Sequence, residues 1–269
     1  MAWAWLEKTT TDSMHREFLG GEALASLVTN AQSGAAMIAR ADAVQDKAWR
    51  DKLRYWVVRA WTRTELTSAA VDWAAGLSDE TERTEWLGKT VELAGEALPL
   101  NGLAHVHRIE NSERRTEVTH NILWPWLLNE PDKAFAEMER HTADWDPDHF
   151  RFAGDALTRH DAANALAAAR RLPEGEVRDN FINGMMTGVL YNNDAATMLP
   201  ALGMISEDHL HSHGGLNSYV EILTKQNPRA AAEWLVSLPA DSQTRRFGES
   251  QFKAQTGHEA APWLSTSTK

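Results

Sequence analysis

Apolar residues recur along the chain with the period of an α-helix. Three stretches place them at i, i+3, i+4, i+7 or i+8, the spacing of one buried helical face. These stretches are Ala231, Trp234, Leu235 and Leu238; Leu53, Val57, Ala60 and Trp61; and Leu87, Val91 and Ala94. No stretch alternates apolar and polar residues for long enough to predict a strand. The pattern therefore predicts an all-α protein.

Helix starts can be placed by their capping residues. Asn227–Pro228 and Asp146–Pro147 each pair a side chain that caps a helix with a proline suited to the first helical position. Ser206 precedes two acidic residues, which the helix dipole favours at an N-terminus. Helices are predicted to begin at these three places.

Several stretches share one order of residue types: small residues, a tryptophan, a short polar turn with acids, then an arginine. The tryptophan and arginine are 11 residues apart in two stretches and 10 apart in a third: Trp5 and Arg16, Trp234 and Arg245, and Trp73 and Arg83. Residues 160–181 keep this order without the tryptophan, and Trp263 restores it near the end. Self-similarity of this kind is the signature of a repeat architecture.

The spacing between successive copies of this arginine gives the repeat length. Its first occurrences are separated by 34, 33 and 32 residues: Arg16, Arg50, Arg83 and Arg115. Arg178 and Arg245 follow at double steps, with His149 and His211 in the intermediate slots. We expect about eight repeats of 31–34 residues, each made of two helices.

A single pair of helices cannot bury its apolar faces, so stacked pairs share one continuous core. The sequence predicts an α-solenoid, a right-handed superhelix of antiparallel helical hairpins, forming one domain over residues 1–269. Pairs of alanines are expected to let helix backbones approach closely: Ala35–Ala36, Ala69–Ala70, Ala162–Ala163, Ala195–Ala196 and Ala260–Ala261. Trp5, Trp73 and Trp234 are expected in equivalent positions between helices.

The period and the two-helix unit, with the tryptophan and arginine positions quoted above, resemble tetratricopeptide-type solenoids. The layout is also similar to helical repeats of the HEAT kind. The resemblance implies a binding scaffold, because such solenoids present a long concave face to extended partners. If the first helices line that face, their outward residues Asp72, Arg229 and Glu233 are the candidate partner-binding residues.

The amino-acid composition excludes or disfavours several classes of function. The 269 residues include no cysteine, which excludes disulfides and thiolate metal sites and favours a cytoplasmic location. The net charge is -11, which argues against nucleic-acid binding, including that of pentatricopeptide-type RNA-binding repeats. No apolar run is long enough to insert into a membrane.

A cluster of histidines is the strongest candidate for a metal-binding site. On a helix, His209 and His213 lie one turn apart and could share a Zn²⁺ ion, whereas His211 points elsewhere. The alternative is a polar helix start without metal, which the sequence favours, since no further ligand pattern is present. His105 and His107 form a weaker pair with the same alternatives.

Two further features have structural or functional interpretations. Pro125 interrupts a helical pattern, and a kink or break is expected there, either as a docking notch or as an irregular repeat. Residues 129–148 contain seven acids, which could attract a basic partner or simply form a solvated face. No catalytic motif, phosphate-binding loop or cofactor motif is found, so we expect a non-catalytic protein without a cofactor.

The sequence leaves the function open between two main classes: a scaffold that binds proteins or peptides, and a structural segment of a larger protein whose activity lies elsewhere. Binding of metal or RNA is the remote alternative. Both ends begin or stop on an apolar helix face, at Trp3–Leu6 and at Trp263–Leu264. Because terminal repeats usually carry a polar outer face, we expect the chain to be a fragment of a longer array.

Overall fold

The computed structural model describes residue 23 and residues 26–63, 66–191, 195–206, 209–210 and 215–267. Within these ranges all regular structure is helical and no strand is present. The prediction of an all-α protein is confirmed. Trp5, Arg16, His211 and His213 lie outside the described residues, so the expectations placed on them stay predictions.

Fifteen α-helices occur in the described part of the chain. They are α1 (Ala31–Asp42), α2 (Lys47–Thr62), α3 (Thr67–Ala75), α4 (Glu80–Ala97), α5 (Pro99–Leu103), α6 (Ser112–Asn129), α7 (Pro131–Arg140), α8 (Pro147–His160), α9 (Ala162–Arg171), α10 (Glu176–Gly188), α11 (Leu199–Leu202), α12 (Gly215–Gln226), α13 (Pro228–Ser237), α14 (Gln243–Thr256) and α15 (Ala260–Ser267). Short 3₁₀ turns lie at Val106–Arg108, Thr142–Asp144, Val189–Tyr191 and Ala195–Met198. The chain divides into two compact units, Met1–Leu123 and Trp124–Lys269.

In the first unit, helices that follow each other pack together, α1 with α2 and α3 with α4, and α2 also packs against α4. The predicted stripes of α2 and α4 form the core, where Leu53, Val57 and Val91 are buried. Arg54 is also buried, and its guanidinium pairs with Asp42 at 2.7 Å and with Glu82 at 3.3 Å. This arginine therefore connects α2 to residues of both α1 and α4.

In the second unit, α8, α10, α12 and α14 contact one another in succession. The closest approach is between α8 and α10, where glycines occupy the contact. A Cβ on Gly154 would lie 2.0 Å from the carbonyl oxygen of Phe181, and one on Gly184 would lie 1.8 Å from that of Arg151. No side chain fits at either position, so these glycines set the distance between the two helices.

The alanine pairs do not have the uniform role expected of them. Ala35 and Ala36 are both exposed, so close approach through that pair is wrong. In the same helix the contact is made by Gly34, where a Cβ would lie 2.5 Å from the Trp61 ring. In the other pairs one residue is buried and the second is at least partly exposed: Ala70, Ala162, Ala195 and Ala260 are the buried members.

One hydrogen bond recurs at the start of several helices. Arg50 in α2, Arg83 in α4 and Arg115 in α6 each donate from Nη1 to the backbone carbonyl six residues earlier, at 3.1, 3.2 and 3.1 Å. Arg245 in α14 makes the same kind of bond to Leu238, at 3.0 Å. The arginine of the repeated sequence pattern thus closes a turn at these four positions, which lie in both units, whereas Arg178 pairs with Glu174.

The capping predictions for α8 and α13 are confirmed. Asp146 accepts from the amide of Asp148 ahead of α8, and Asn227 accepts from the amide of Ala230 ahead of α13, both at 3.0 Å. Of the kink or break expected at Pro125, the break is wrong, because one helix, α6, runs from Ser112 to Asn129 with Pro125 inside it. The kink stays a prediction. Proline removes one backbone donor, and Trp126 and Leu127, which follow it directly, are buried.

Tryptophans pack edge-to-face against aromatic side chains of neighbouring helices. Trp234 in α13 contacts Tyr219 in the preceding α12, with ring centroids 6.4 Å apart. Trp263 in α15 contacts Phe252 in the preceding α14 in the same way, at 5.8 Å. Trp73 in α3 contacts Trp86 in the following α4, at 5.7 Å. Both Trp73 and Trp234 are half-buried between helices, although their aromatic neighbours lie on opposite sides in sequence.

Among the described residues, no helix combines the length and the apolar character needed to cross a membrane.

Candidate functional site

An open groove lies between α4 and α6 in the first unit, with a volume of about 570 Å³. We call it the α4–α6 groove. Its lining residues come from the first turns of the two helices: Glu80, Thr81, Thr84, Glu85, Asn111, Glu113, Arg114 and Glu117. Asn111 caps α6 by accepting from the amide of Arg114 at 2.8 Å, which fixes that wall of the groove.

Charge in the groove is predominantly negative. Four of its side chains are glutamates and one is an arginine, Arg114. The guanidinium of Arg114 pairs with Glu117 at 2.7 Å and with Glu92 at 3.3 Å. Its positive charge is therefore already matched within the protein, and the remaining glutamates are exposed.

Gly88 on α4 makes room for Arg114. A Cβ at that position would lie 2.5 Å from Nε of the arginine. Glu92, one turn later on α4, is buried and also accepts from Asn121 of α6 at 2.8 Å. These contacts hold α6 against α4.

A second, more enclosed pocket of about 250 Å³ lies next to the groove and shares Thr84 with it. Its lining residues are Ala75, Arg83, Thr84, Leu87, Arg108, Ile109 and Glu110. Arg83 is bonded to the Leu77 carbonyl and Arg108 pairs with Asp72, so both cations have structural partners.

The three candidate partner-binding residues are exposed and paired. Asp72 on α3 pairs with Arg108, and its side chain remains 66% exposed. Arg229 and Glu233 lie one turn apart on α13 and pair with each other at 2.8 Å. Asp72 belongs to the first unit and the other two to the second. A role for them in partner binding stays a prediction.

A polar cluster that the sequence did not predict contains Ser206, His209 and Asp179. The Ser206 hydroxyl donates to Asp179 at 2.7 Å and lies 3.1 Å from His209 Nδ1, while Asp179 lies 3.4 Å from that same nitrogen. In a serine nucleophile triad the serine and the acid contact opposite ring nitrogens. Here both contact Nδ1, and Ser206 also accepts from the His209 amide at 3.4 Å, as a helix-capping residue does.

Metal-ligand geometry is not found in the described residues, where no group of three or more His, Asp or Glu side chains could hold an ion. A shared metal ion between His209 and His213 stays a prediction, because His213 lies outside the described residues. His105 lies in the turn before the 3₁₀ segment, with its Nε2 3.5 Å from the Ser68 hydroxyl. Burial, followed by the nearby charge of Arg108, lowers the pKa of His105.

Acids in residues 129–148 are largely engaged within the protein. Glu130 pairs with Lys133 at 2.6 Å, and Glu139 pairs with Arg171 of α9 at 2.7 Å. Asp132 accepts from Asn164 at 2.7 Å, and Asp146 caps α8. These contacts favour the solvated structural face over a basic-partner site in this segment.

The sequence did not predict the α4–α6 groove. Its glutamates belong to two stretches about thirty residues apart, and only the packing of α4 against α6 brings them to one cavity. The available signal was that both helices begin with acids in the first turn, which the helix dipole explains without a site.

No protein-family model, curated protein or solved structure matches the chain.

Proposed function

We propose that the chain is an α-solenoid of helical hairpins that acts as a non-catalytic scaffold and binds a basic peptide segment in the α4–α6 groove. Two observations support the solenoid. The turn-closing arginine recurs in both units, and successive second helices contact each other, α2 with α4 and then α8 with α10, α12 and α14 in order.

The observation that carries the binding proposal is the groove itself. It is an open cavity of about 570 Å³ whose only lining cation is paired, and Glu80, Glu85 and Glu113, which form no ion pair in the described part of the chain, give it an excess of negative charge. Lysine or arginine side chains of a partner would complement this charge and steer its approach. Thr81 and Thr84 add hydroxyl groups that can bond to a peptide backbone.

The test is fluorescence anisotropy of the full chain with three short labelled peptides that differ only in charge: lysine-rich, glutamine-rich and glutamate-rich. We expect the lysine-rich peptide alone to bind, with affinity falling as salt rises. The double variant Glu85→Gln, Glu113→Gln should weaken binding about 3- to 10-fold, as expected for two exposed charge pairs.

Glu96→Gln supplies the matched control, because Glu96 is exposed on α4 outside the groove. It should leave the affinity unchanged. Equal binding of the glutamate-rich peptide, or equal loss in the control and the groove variant, would contradict a groove-based function.

A further inference from the structure

The second unit carries a surface of a different kind, built from arginines stacked on aromatic rings. It comprises Trp124 and Leu128 of α6, Arg151, Phe152 and Arg159 of α8, and Tyr191 of the 3₁₀ turn after α10. We call it the Arg–aromatic surface. It shares no residue with the α4–α6 groove.

Arg159 is the fixed centre of this surface. Its guanidinium makes two bonds of 2.8 Å to Asp155, which is buried. The same guanidinium lies 3.5 Å from the Tyr191 ring centroid and 5.8 Å from that of Trp124. A planar cation held by a bidentate carboxylate and stacked between rings is preorganised, so a ligand does not have to order it.

Exposed apolar side chains belong to the same elements as this centre. Tyr191 is 64% exposed, and Leu190, which precedes it, and Leu128, one turn after Trp124 on α6, are each 48% exposed. These three account for half of the large apolar side chains found exposed among the described residues. Trp124 and Phe152 extend the apolar area, with ring centroids 5.8 Å apart.

The charged side chains of this surface indicate which kind of partner would bind it. Arg151 lies over the Phe152 ring, 4.9 Å from its centroid, and forms no ion pair in the described part of the chain. Asp155 matches the charge of Arg159 alone, so Arg151 leaves this surface with one positive charge that no described carboxylate pairs. On a protein of net charge -11, such a positive apolar surface is a local exception.

We propose that the Arg–aromatic surface docks a peptide segment that carries aspartate or glutamate next to leucine or an aromatic residue. The carboxylate would pair with Arg151, and the apolar side chain would cover Tyr191 and Leu128. Aromatic residues and arginine are the side chains that most often dominate the energy of protein interfaces. A nucleic acid would also stack on aromatic rings, but the strongly acidic chain would repel its phosphates.

Fluorescence anisotropy of the full chain tests the proposal with labelled peptides of alternating aspartate and leucine, the same peptide with lysine for aspartate, and single-stranded oligothymidylate. We expect the aspartate–leucine peptide to bind best. Tyr191→Ala and Arg151→Gln should each weaken its binding about 5- to 10-fold, the effect of removing an interface anchor.

Two control variants separate this surface from others. Arg59→Gln removes an exposed arginine of the first unit, and Glu85→Gln with Glu113→Gln alters the α4–α6 groove. Both should leave the affinity for the aspartate–leucine peptide unchanged, and circular dichroism should show every variant folded. Preference for the lysine peptide or the oligonucleotide, absence of binding, or insensitivity to Tyr191→Ala would overturn the proposal.

Discussion

Gly184 is a residue whose missing side chain determines how two helices pack. Replacing it with alanine would place a methyl group 1.8 Å from the Arg151 carbonyl oxygen, and a backbone atom cannot rotate away. We expect Gly184→Ala to lower the free energy of unfolding by about 1–3 kcal/mol, despite the higher helix propensity of alanine. Thermal unfolding should show a melting temperature lower by roughly 2–4 °C per kcal/mol.

Gly203→Ala is the matched control. The added Cβ would lie 3.6 Å from the Pro200 carbonyl oxygen, an ordinary contact, and Gly203 has a φ of -79°, which alanine adopts without strain. A melting temperature that is equal in the two variants would show that α8 and α10 do not pack through Gly184.

His105 gives the first unit a small pH dependence. Its pKa is lowered in the folded protein, chiefly by burial, so the folded state binds fewer protons than the unfolded state as pH falls below the unfolded pKa of about 6.5. Above that pH the histidine does not lower the free energy of unfolding. As the pH falls from there to the folded pKa, it lowers that free energy progressively.

We expect the loss of stability between neutral and mildly acidic pH to be smaller in His105→Gln than in the unchanged protein. Urea unfolding at several pH values measures it. His258→Gln, at an exposed position, is the control and should keep the original pH dependence. If the free energy of unfolding changes equally with pH in all three proteins, the environment of His105 does not disfavour its charged form.

At the scale of the element, the turn-closing arginine links the end of one helix to the start of the next. Arg83→Met keeps the apolar stem but removes the donor to the Leu77 carbonyl. We expect a loss of about 1–2 kcal/mol in the free energy of unfolding, because a charge-assisted hydrogen bond to a turn carbonyl is lost. Urea unfolding at neutral pH measures the loss.

Arg59→Met tests whether any arginine would have the same effect. Arg59 is exposed on α2, and its side chain has no ion pair or hydrogen bond among the described residues. Its replacement should change stability by less than about 0.5 kcal/mol. If both variants lose equal stability, the carbonyl contact of Arg83 contributes nothing specific.

The elements themselves were largely predictable because their signals are local. Asn227 and Asp146 cap helices within three residues of their own positions, and the spacing of Leu53 and Val57 already shows which face of α2 is buried. The contact of Gly184 with Arg151 was not predictable, since a glycine in a helical stretch says nothing about which backbone it meets.

The α4–α6 groove was unpredictable for a related reason. Its acids have an adequate local explanation at helix starts, and their shared cavity depends on how two helices pack. Pro125 shows the opposite error, because a strong local signal predicted a break where α6 continues as one helix.

At the scale of the whole molecule, a stack of hairpins would distribute stability between neighbours. In an α-solenoid each hairpin contacts only the adjacent ones, so a local defect has a local effect. We expect Gly184→Ala to speed amide hydrogen exchange in α8 and α10 more than in α2 and α4. Hydrogen-exchange mass spectrometry of the full chain measures this difference.

A uniform increase in exchange across all helices would instead indicate a single cooperative unit and would argue against the proposed solenoid. Gly203→Ala is again the reference, and its exchange map should match that of the unchanged protein.

The turn-closing arginines also restrict where the chain can change length. Because Arg50, Arg83 and Arg115 each reach the carbonyl six residues earlier, one inserted residue in that interval would move the donor away from its acceptor. Insertions there should be selected against, even though the turns are at the surface. Natural variants of this chain should therefore keep the length of these turns constant and gain or lose residues elsewhere.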